Sequence, residues 1–405
     1  MSRFHRLVAS AAVLALAGAG IAATSPGAEA QKAGAHAKAK AKAHKPKAHK
    51  KVVKNAFKKR YAKPWVVAKG LFTPLTTAVA NDGTAYVTSN FGGQLLRIRP
   101  GKAPTVVYTA PEQGVEVGGV SVSGFSVRFT LTYSDPTTGE PSDTQLMQLL
   151  PGGRARMIAD IYAYESSANP DQVNTYGFTT TVDPACLAKW PTADFGPASY
   201  TGMVDSHAYG TAQVGGSTYI ADAGANAILK VSPFGRVSTV AVLPPIPHTL
   251  TADEATNLGL DPCFVGLTFN FEPVPTDVEL GRFGKLYVSS LPGGPEGPVL
   301  GPRGSIFAVN AFTHTSKQIV TGLLGATGVA VAPNGTLYAT EMFGGKIDRI
   351  FVRPWGAKIT TLAKADTPAA VEWTPWGVVA TTDALTGTEE ENPTPINGKL
   401  IKYGF

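Results

Sequence analysis

The sequence predicts an all-β protein, a six-bladed β-propeller with four-stranded antiparallel blades, and three observations lead to this prediction. First, residues 70–98 match residues 322–350 without a gap, with 14 identical positions in 29, which marks a repeat architecture. Second, the repeated segment alternates short apolar runs with turns rich in Gly, Asn and Asp. Third, each repeat holds four such runs within about 45 residues, the length of one propeller blade.

The blades are assigned in chain order from their turn glycines and alternating strands. The last blade has only three predicted strands before the chain stops at Phe405. We expect Trp65–Leu71, near the other end, to supply its fourth strand, which would close the ring and leave no open sheet edge. The same pattern of turn glycines and alternating strands predicts blades that start near residues 73, 119, 202, 274, 326 and 368.

The first 30 residues are predicted to be a secretory signal peptide. Arg3 and Arg6 precede an apolar stretch over 7–23, and Ala28-Glu29-Ala30 forms a small-x-small cleavage site. Cleavage is expected after Ala30, which makes the mature protein secreted, extracellular or attached to the cell envelope. The apolar stretch is short for a membrane span, and no later run reaches 18 apolar residues. No transmembrane segment is predicted.

Residues 31–63 differ in composition from the rest and are predicted to form a disordered linker rich in Lys, Ala and His. This segment has 13 Lys and Arg and no acidic residue, and residues 1–30 add +1, so the net charge of +7 leaves about −7 for residues 64–405. Self-repulsion favours an extended tether. This segment is either a plain spacer or an arm that attaches the protein to anionic cell-wall polymers or lipid headgroups. Nucleic acid is not expected as a partner, because an exported protein rarely meets it.

The two cysteines, Cys186 and Cys263, are predicted to form one disulfide. An even cysteine count in an exported domain is typical of disulfide bonding. Cys186 lies in the connection 162–201 and Cys263 in the connection 244–273, on either side of the third blade. Both join an outer strand to the next inner strand, so they are expected to be neighbours on one face of the ring.

That face, called the upper face here, is where a functional site is predicted. The opposite turns are tight, and enlarged loops on one side of a rigid scaffold usually carry the binding site. The long connections of the chain all fall on this side: 109–119, 131–143, 162–201, 244–273, 290–303 and 383–397.

Polar residues at the upper ends of the strands are the candidate ligand or metal site. Carboxylate and amide oxygens that meet at a channel mouth suit Ca²⁺, and a bound cation could polarise an ester or lactone carbonyl. Alternatively, these residues cap turns or face water. The candidates are Asn90, Asp205, His207, Asp222, Asp277, Glu341 and Asp383.

Four motifs over residues 65–405 resemble the ScyD/ScyE family of exported bacterial propellers: V-A-K-G-L-x-x-P, N-D-G-T-A-Y-V, P-N-G-T-L-Y-A-T-E and G-G-K-I-D-R-I. More distantly, the chain is similar to NHL-repeat and gluconolactonase-type propellers. The ScyD/ScyE resemblance implies an exported six-bladed propeller and carries no established catalytic residues. Gluconolactonase-like sites need a Glu at an early inner-strand end, where this chain has Thr73-Pro74-Leu75-Thr76.

The sequence therefore favours a non-enzymatic binding or scaffold protein, expected to be a monomer, whose ligand is a small molecule, a glycan or a protein. The alternative is a metal-assisted hydrolase or lactonase that would use Asp222, Glu341, Asp383 and His207 on the upper face. No catalytic residue is assigned, and Ca²⁺ is the only candidate cofactor.

Overall fold

The computed structural model describes residues 63–389 and 393–404, whose strands assemble into seven four-stranded antiparallel sheets. The predicted signal peptide, its cleavage site and nearly all of the basic linker lie outside the described residues. Six of the sheets form a ring. The seventh sheet is formed by two long connections between blades and is not one of the blades of the ring. The prediction of an all-β propeller is confirmed, whereas the predicted total of six sheets is wrong.

The first three blades each run from an innermost to an outermost strand in chain order. Their strands are β2 (Thr77–Val79), β3 (Ala85–Ser89), β4 (Gln94–Ile98) and β5 (Thr105–Thr109); β6 (Glu116–Ser123), β7 (Ser126–Ser134), β8 (Pro141–Leu149) and β9 (Ala155–Asp160); and β12 (Ala208–Val214), β13 (Ser217–Asp222), β14 (Ala227–Val231) and β15 (Val237–Val242).

Blades four and five follow the same order, and blade six completes the ring with strands from both ends of the described chain. Their strands are β18 (Pro275–Leu280), β19 (Lys285–Ser290), β20 (Gly304–Asn310) and β21 (Thr315–Leu323); β22 (Ala326–Val331), β23 (Leu337–Glu341), β24 (Lys346–Arg353) and β25 (Gly356–Lys364); and β26 (Val371–Thr374), β27 (Gly377–Thr382), β28 (Gly398–Tyr403) and β1 (Trp65–Leu71).

The ring closes through its innermost strands and through blade six. The innermost strands contact one another in the cyclic order β2, β6, β12, β18, β22, β26 and back to β2. Strand β1 pairs antiparallel with β28, with Trp65 opposite Lys402 and Leu71 opposite Gly398. The prediction that Trp65–Leu71 supplies the missing fourth strand is confirmed.

Close approach of the innermost strands requires glycine where two blades meet. A Cβ added at Gly210 would lie 2.6 Å from the Cα of Asp277, a distance that real Cβ contacts do not reach. Apolar side chains fill the space further out between neighbouring sheets. Between blades four and five, for example, Ile306, Val320, Leu337 and Ile350 pack in one buried cluster.

The seventh sheet is built from the two connections that flank blade three, and we call these residues, 161–201 and 246–272, the cap. Its strands lie in the order β11 (Ser199–Thr201), β10 (Thr175–Phe178), β17 (Thr268–Phe271) and β16 (Ile246–Thr249). Four short helices complete it: α1 (Ile161–Ala168), α2 (Pro184–Leu187), α3 (Thr192–Phe195) and α4 (Ala252–Asn257).

The cap has its own aromatic core. Phe178 lies 5.1 Å from the ring of Trp190 and 5.7 Å from that of Phe264, and Trp190 stacks on Phe269 at 5.4 Å. The Cys186–Cys263 disulfide joins its two halves, with a Cα–Cα distance of 5.8 Å. The predicted disulfide is thus confirmed, and the two segments predicted as plain connections are paired strands.

Candidate functional site

Most of the predicted upper-face residues are engaged by partners within the ring, either in their own blade or in a neighbouring one. Asp222 is fully buried, and its carboxylate accepts hydrogen bonds from Ser206 Oγ at 2.8 Å and from the His207 amide at 2.7 Å. A third bond comes from the Ala225 amide at 3.2 Å. These contacts fix the start of β12 and the β13–β14 turn.

Three more of the predicted carboxylates, Asp277, Glu341 and Asp383, lie in three different blades. Asp277 accepts from the Val329 amide at 2.9 Å and so joins blade four to blade five. Glu341 accepts from the Leu324 amide at 2.7 Å and forms an ion pair with Lys346 at 2.8 Å. Asp383 pairs with Lys399 at 2.9 Å. Each of these three carboxylates therefore has its own partner within the protein.

Asn90 and His207 are likewise engaged. The Asn90 side-chain amide donates to the Val117 carbonyl at 3.3 Å, which joins blade one to blade two. His207 Nε2 lies 3.0 Å from Glu116 Oε2. Among the seven candidates, Asp205, His207 and Asp222 lie close to one another. Within residues 63–389 and 393–404, no group of three His, Cys, Asp or Glu is arranged to hold a metal ion.

Three acidic residues face the axis of the ring, and of these only Asp277 is among the predicted candidates. Asp277, Glu279 and Glu372 line a small cavity that also touches residues of all six innermost strands. Burial raises the pKa of Asp277 to about 7, and burial together with the nearby carboxyl groups raises the pKa of Glu279 and Glu372 well above their ordinary value. The cavity is only about 10 Å³, so it holds at most a water-sized guest.

A mostly apolar cavity lies instead between the cap and a loop of blade four, and we call it the cap pocket. Its volume is about 460 Å³. Residues 291–303, between β19 and β20, form one wall with Gly293, Gly294, Pro295, Glu296 and Leu300. The cap supplies the other walls, which include Trp190, Phe195, Tyr200, Leu250, Leu258, Leu260, Phe269, Phe271 and Glu272.

Two contacts hold the 291–303 loop against the cap. Gly294 has φ +88°, and a Cβ there would lie 2.5 Å from the ring of Phe271, so only glycine allows this close approach. The Arg303 guanidinium lies 4.3 Å from the centre of the same ring and donates to the Gly293 carbonyl at 3.0 Å. The pocket wall is therefore fixed by backbone geometry and by a cation–π contact.

Two glutamates line the cap pocket, Glu272, which is buried, and Glu296, which is partly buried. Glu272 Oε1 accepts from the Tyr200 hydroxyl at 3.0 Å, whereas Oε2 of both glutamates is buried and has no hydrogen-bond partner among the described residues. Burial raises the pKa of each carboxyl to about 8. An incompletely satisfied carboxyl in an apolar cavity is costly, and such groups are frequent at functional sites.

Glu272 also lines a second cavity, of about 150 Å³, between the cap and blades two and three. Asp171 and Asp205 share this cavity, and each has one buried oxygen without a partner in the described chain. Burial raises the pKa of Asp171 to about 6 and that of Asp205 to about 7. Beside them Glu165 is fully buried, and burial with nearby carboxylates raises its pKa to about 9. The cap therefore meets the ring through an acidic layer.

The sequence held one signal for this site, namely the excess length and the aromatic residues of the two connections around blade three. It marked the region but could not show that Glu272 of the cap, directly after β17, and Glu296, in the 291–303 loop of blade four, line one cavity. That contact depends on the paired cap strands, and segments 70 or more residues apart in a chain pair without a local sequence signature.

No protein-family model and no curated protein sequence matches the chain. Among solved structures, the PQQ-bound aldose sugar dehydrogenase of Streptomyces coelicolor is 12% identical with a TM-score of 0.51, over 84% of this chain and 96% of that one. A putative oxidoreductase (glucose dehydrogenase) of Thermus thermophilus is 13% identical with a TM-score of 0.50, over 84% and 99%.

At these identities the likeness supports the β-propeller fold alone. It does not support the narrower ScyD/ScyE assignment, and it favours neither an enzyme nor a scaffold. The disulfide fits an extracellular location, where oxidising conditions maintain such bonds. Over the residues that the structure describes, no helix is long and apolar enough to cross a membrane.

Proposed function

We propose that this chain is an exported, non-enzymatic β-propeller that binds one small molecule in the cap pocket. The supporting observation is the pocket itself, a mostly apolar cavity of about 460 Å³ lined by the buried Glu272, the partly buried Glu296 and Tyr200. Ligand sites are typically cavities of about 300–1,000 Å³ with this mixture of many apolar and few polar walls.

The alternative of a metal-assisted hydrolase or lactonase has less support. Its carboxylates, Asp222, Glu341 and Asp383, already bind structural partners in separate blades. Lactone hydrolysis that requires added Ca²⁺ and is lost in Asp222→Ala, with folding intact, would favour that alternative. Attachment to anionic envelope polymers through residues 31–63 remains a prediction from the sequence, which salt elution from cell walls would test.

The experiment is a fluorescence titration with N-phenyl-1-naphthylamine, a neutral probe that brightens in apolar surroundings. We expect one equivalent to bind with micromolar affinity, because an apolar pocket of this size buries most of such a ligand. Leu258 lines the pocket and is partly exposed, so Leu258→Trp should fill the cavity and weaken binding by about tenfold or more.

The matched control is Leu280→Trp, at the end of β18 and outside the pocket, where the leucine is 39% exposed. It adds the same side chain to the surface and should leave the titration unchanged. Absence of probe binding to the folded wild-type protein, or equal losses in the two variants, would overturn the proposal.

A further inference from the structure

We propose that the cap pocket selects an apolar molecule that carries an ammonium group, with Glu272 and Glu296 as the residues that receive the charge. This inference rests on the proposed function and names its ligand class. An aryl-alkyl amine, with an aromatic body and a short aminoalkyl arm, has the required chemistry.

The apolar part of the ligand is argued from the walls. Trp190, Phe269 and Phe271 supply aromatic surface, and Leu250, Leu258 and Leu260 supply aliphatic surface. Burial of a ligand ring against such walls contributes roughly 25 cal/mol per Å² of apolar area. A sugar would place many hydroxyls against these apolar walls, where few partners exist for them, so a carbohydrate is disfavoured.

The charged part of the ligand is argued from the two glutamates. Glu272 is 94% buried, lines the pocket, and keeps Oε2 without a partner; Glu296 Oε2 is buried and also without one. Within the described chain, no Lys or Arg forms an ion pair with either carboxyl. An ammonium has three donors and a positive charge, which are the properties that an unpartnered carboxyl oxygen requires of a ligand.

The surroundings of Glu272 add to the preference for a cation. Asp171 and Asp205 share the second cavity with it, and Asp171 accepts only neutral hydrogen bonds, from Tyr176 and Asn226. The nearby cation is Arg303, which stacks on Phe271 and donates to Gly293, so it lies against the wall and not among the residues that line the pocket.

The pH dependence follows from the groups around the two carboxyls. Tyr200, Asp171 and Asp205 face Glu272, the exposed Asp194 lies at the rim, and Arg303 lies behind Phe271. Burial raises the pKa of Glu272 and Glu296 to about 8, so both hold protons below about pH 7. An alkylammonium stays charged to about pH 10. Amine binding therefore releases protons and should strengthen as the pH rises from about 6 to 9.

The experiment compares tryptamine with tryptophol, which differ only in an ammonium in place of a hydroxyl, as competitors for bound N-phenyl-1-naphthylamine. At pH 8.5 we expect tryptamine to bind about tenfold more tightly or better, and at pH 6 we expect most of this preference to be lost. The Glu272→Gln/Glu296→Gln variant should reduce the preference to about twofold or less while it still binds the neutral probe.

Asp253→Asn, an exposed carboxylate on α4 outside the pocket, is the matched control and should retain the full preference. Probe binding in every variant shows that the pocket is folded. If the probe binds but the two competitors are equal at pH 8.5, or the preference survives the double substitution, the amine inference fails and the proposed function stands. If the probe does not bind at all, the proposed function itself fails.

Discussion

At the scale of single residues, the repeat is held together by buried hydroxyls that bridge neighbouring blades. Thr76 Oγ1 donates to the Gly118 carbonyl at 2.8 Å, and Thr276 Oγ1 donates to the Ala326 carbonyl at 2.9 Å. Thr340, one of the positions identical in the two matching repeats, donates to the Ala369 carbonyl at 2.8 Å. Hydroxyl-to-carbonyl bonds of this kind therefore recur at several of the boundaries between blades.

Thr130→Val should destabilise the ring, because Thr130 is fully buried and its Oγ1 donates to the Ala208 carbonyl of the next blade at 2.7 Å. Valine keeps the shape but removes the donor, so we expect the free energy of unfolding to fall by about 1–3 kcal/mol. Chemical denaturation measures it.

The control for this change is Thr360→Val on the exposed strand β25, where the hydroxyl donates to the Arg349 carbonyl at 3.1 Å. Because water can replace that exposed bond, the loss there should be small. Equal losses at the two positions would contradict the inter-blade account.

The predicted carboxylates also show, at this scale, that contacts between strands decide what a side chain binds. Asp222 and Asp383 follow their turn glycines at the same spacing, yet Asp222 accepts from backbone amides and Asp383 pairs with Lys399. Spacing from a turn correctly places a residue at the end of a strand. It does not determine where the side chain points, because that depends on neighbours from other strands.

At the scale of elements, the cap rests on the ring through buried carboxyl groups, and this makes its stability depend on pH. Glu165 of α1 is fully buried, with neither carboxyl oxygen hydrogen-bonded among the described residues, and its pKa is raised to about 9. The folded protein then holds a proton that the unfolded chain loses above about pH 4.3. The free energy of unfolding should therefore fall as the pH rises from about 5 to 9.

Glu165→Gln should remove part of this dependence, because glutamine has no proton to lose. We expect the variant to gain about 2–4 °C or more in Tm over the wild type at pH 8 and much less at pH 5, by scanning calorimetry. Glu112→Gln, at an exposed position, is the control and should not change the slope. A Glu165→Gln profile parallel to the wild type would refute the buried-carboxyl explanation.

The cap was only partly predictable. The disulfide followed from two cysteines in neighbouring connections, and the structure confirms it. The strands of the cap could not be predicted, because β10 pairs with β17 across almost 90 residues and neither strand repeats the blade pattern. Phe178, Trp190 and Phe269 would look like loop aromatics until that pairing brings their rings together.

At the scale of the whole molecule, closure was predictable from sequence and the site was not. The match between residues 70–98 and 322–350 identified the blade, and the incomplete last blade pointed to Trp65–Leu71 as its fourth strand. These inferences rest on repetition, which is visible in one sequence. The walls of the cap pocket come from segments that occur only once in the sequence. Comparison with a repeat could therefore not identify them.

The central claim is that the function of this ring resides in the cap pocket, and the most direct test is a crystal of the wild-type protein soaked with N-phenyl-1-naphthylamine. The account predicts ligand density between the 291–303 loop and the cap, in contact with Trp190, Phe271 and Glu272. Density at the axial residues Thr76 and Glu372 with an empty cap pocket would contradict it.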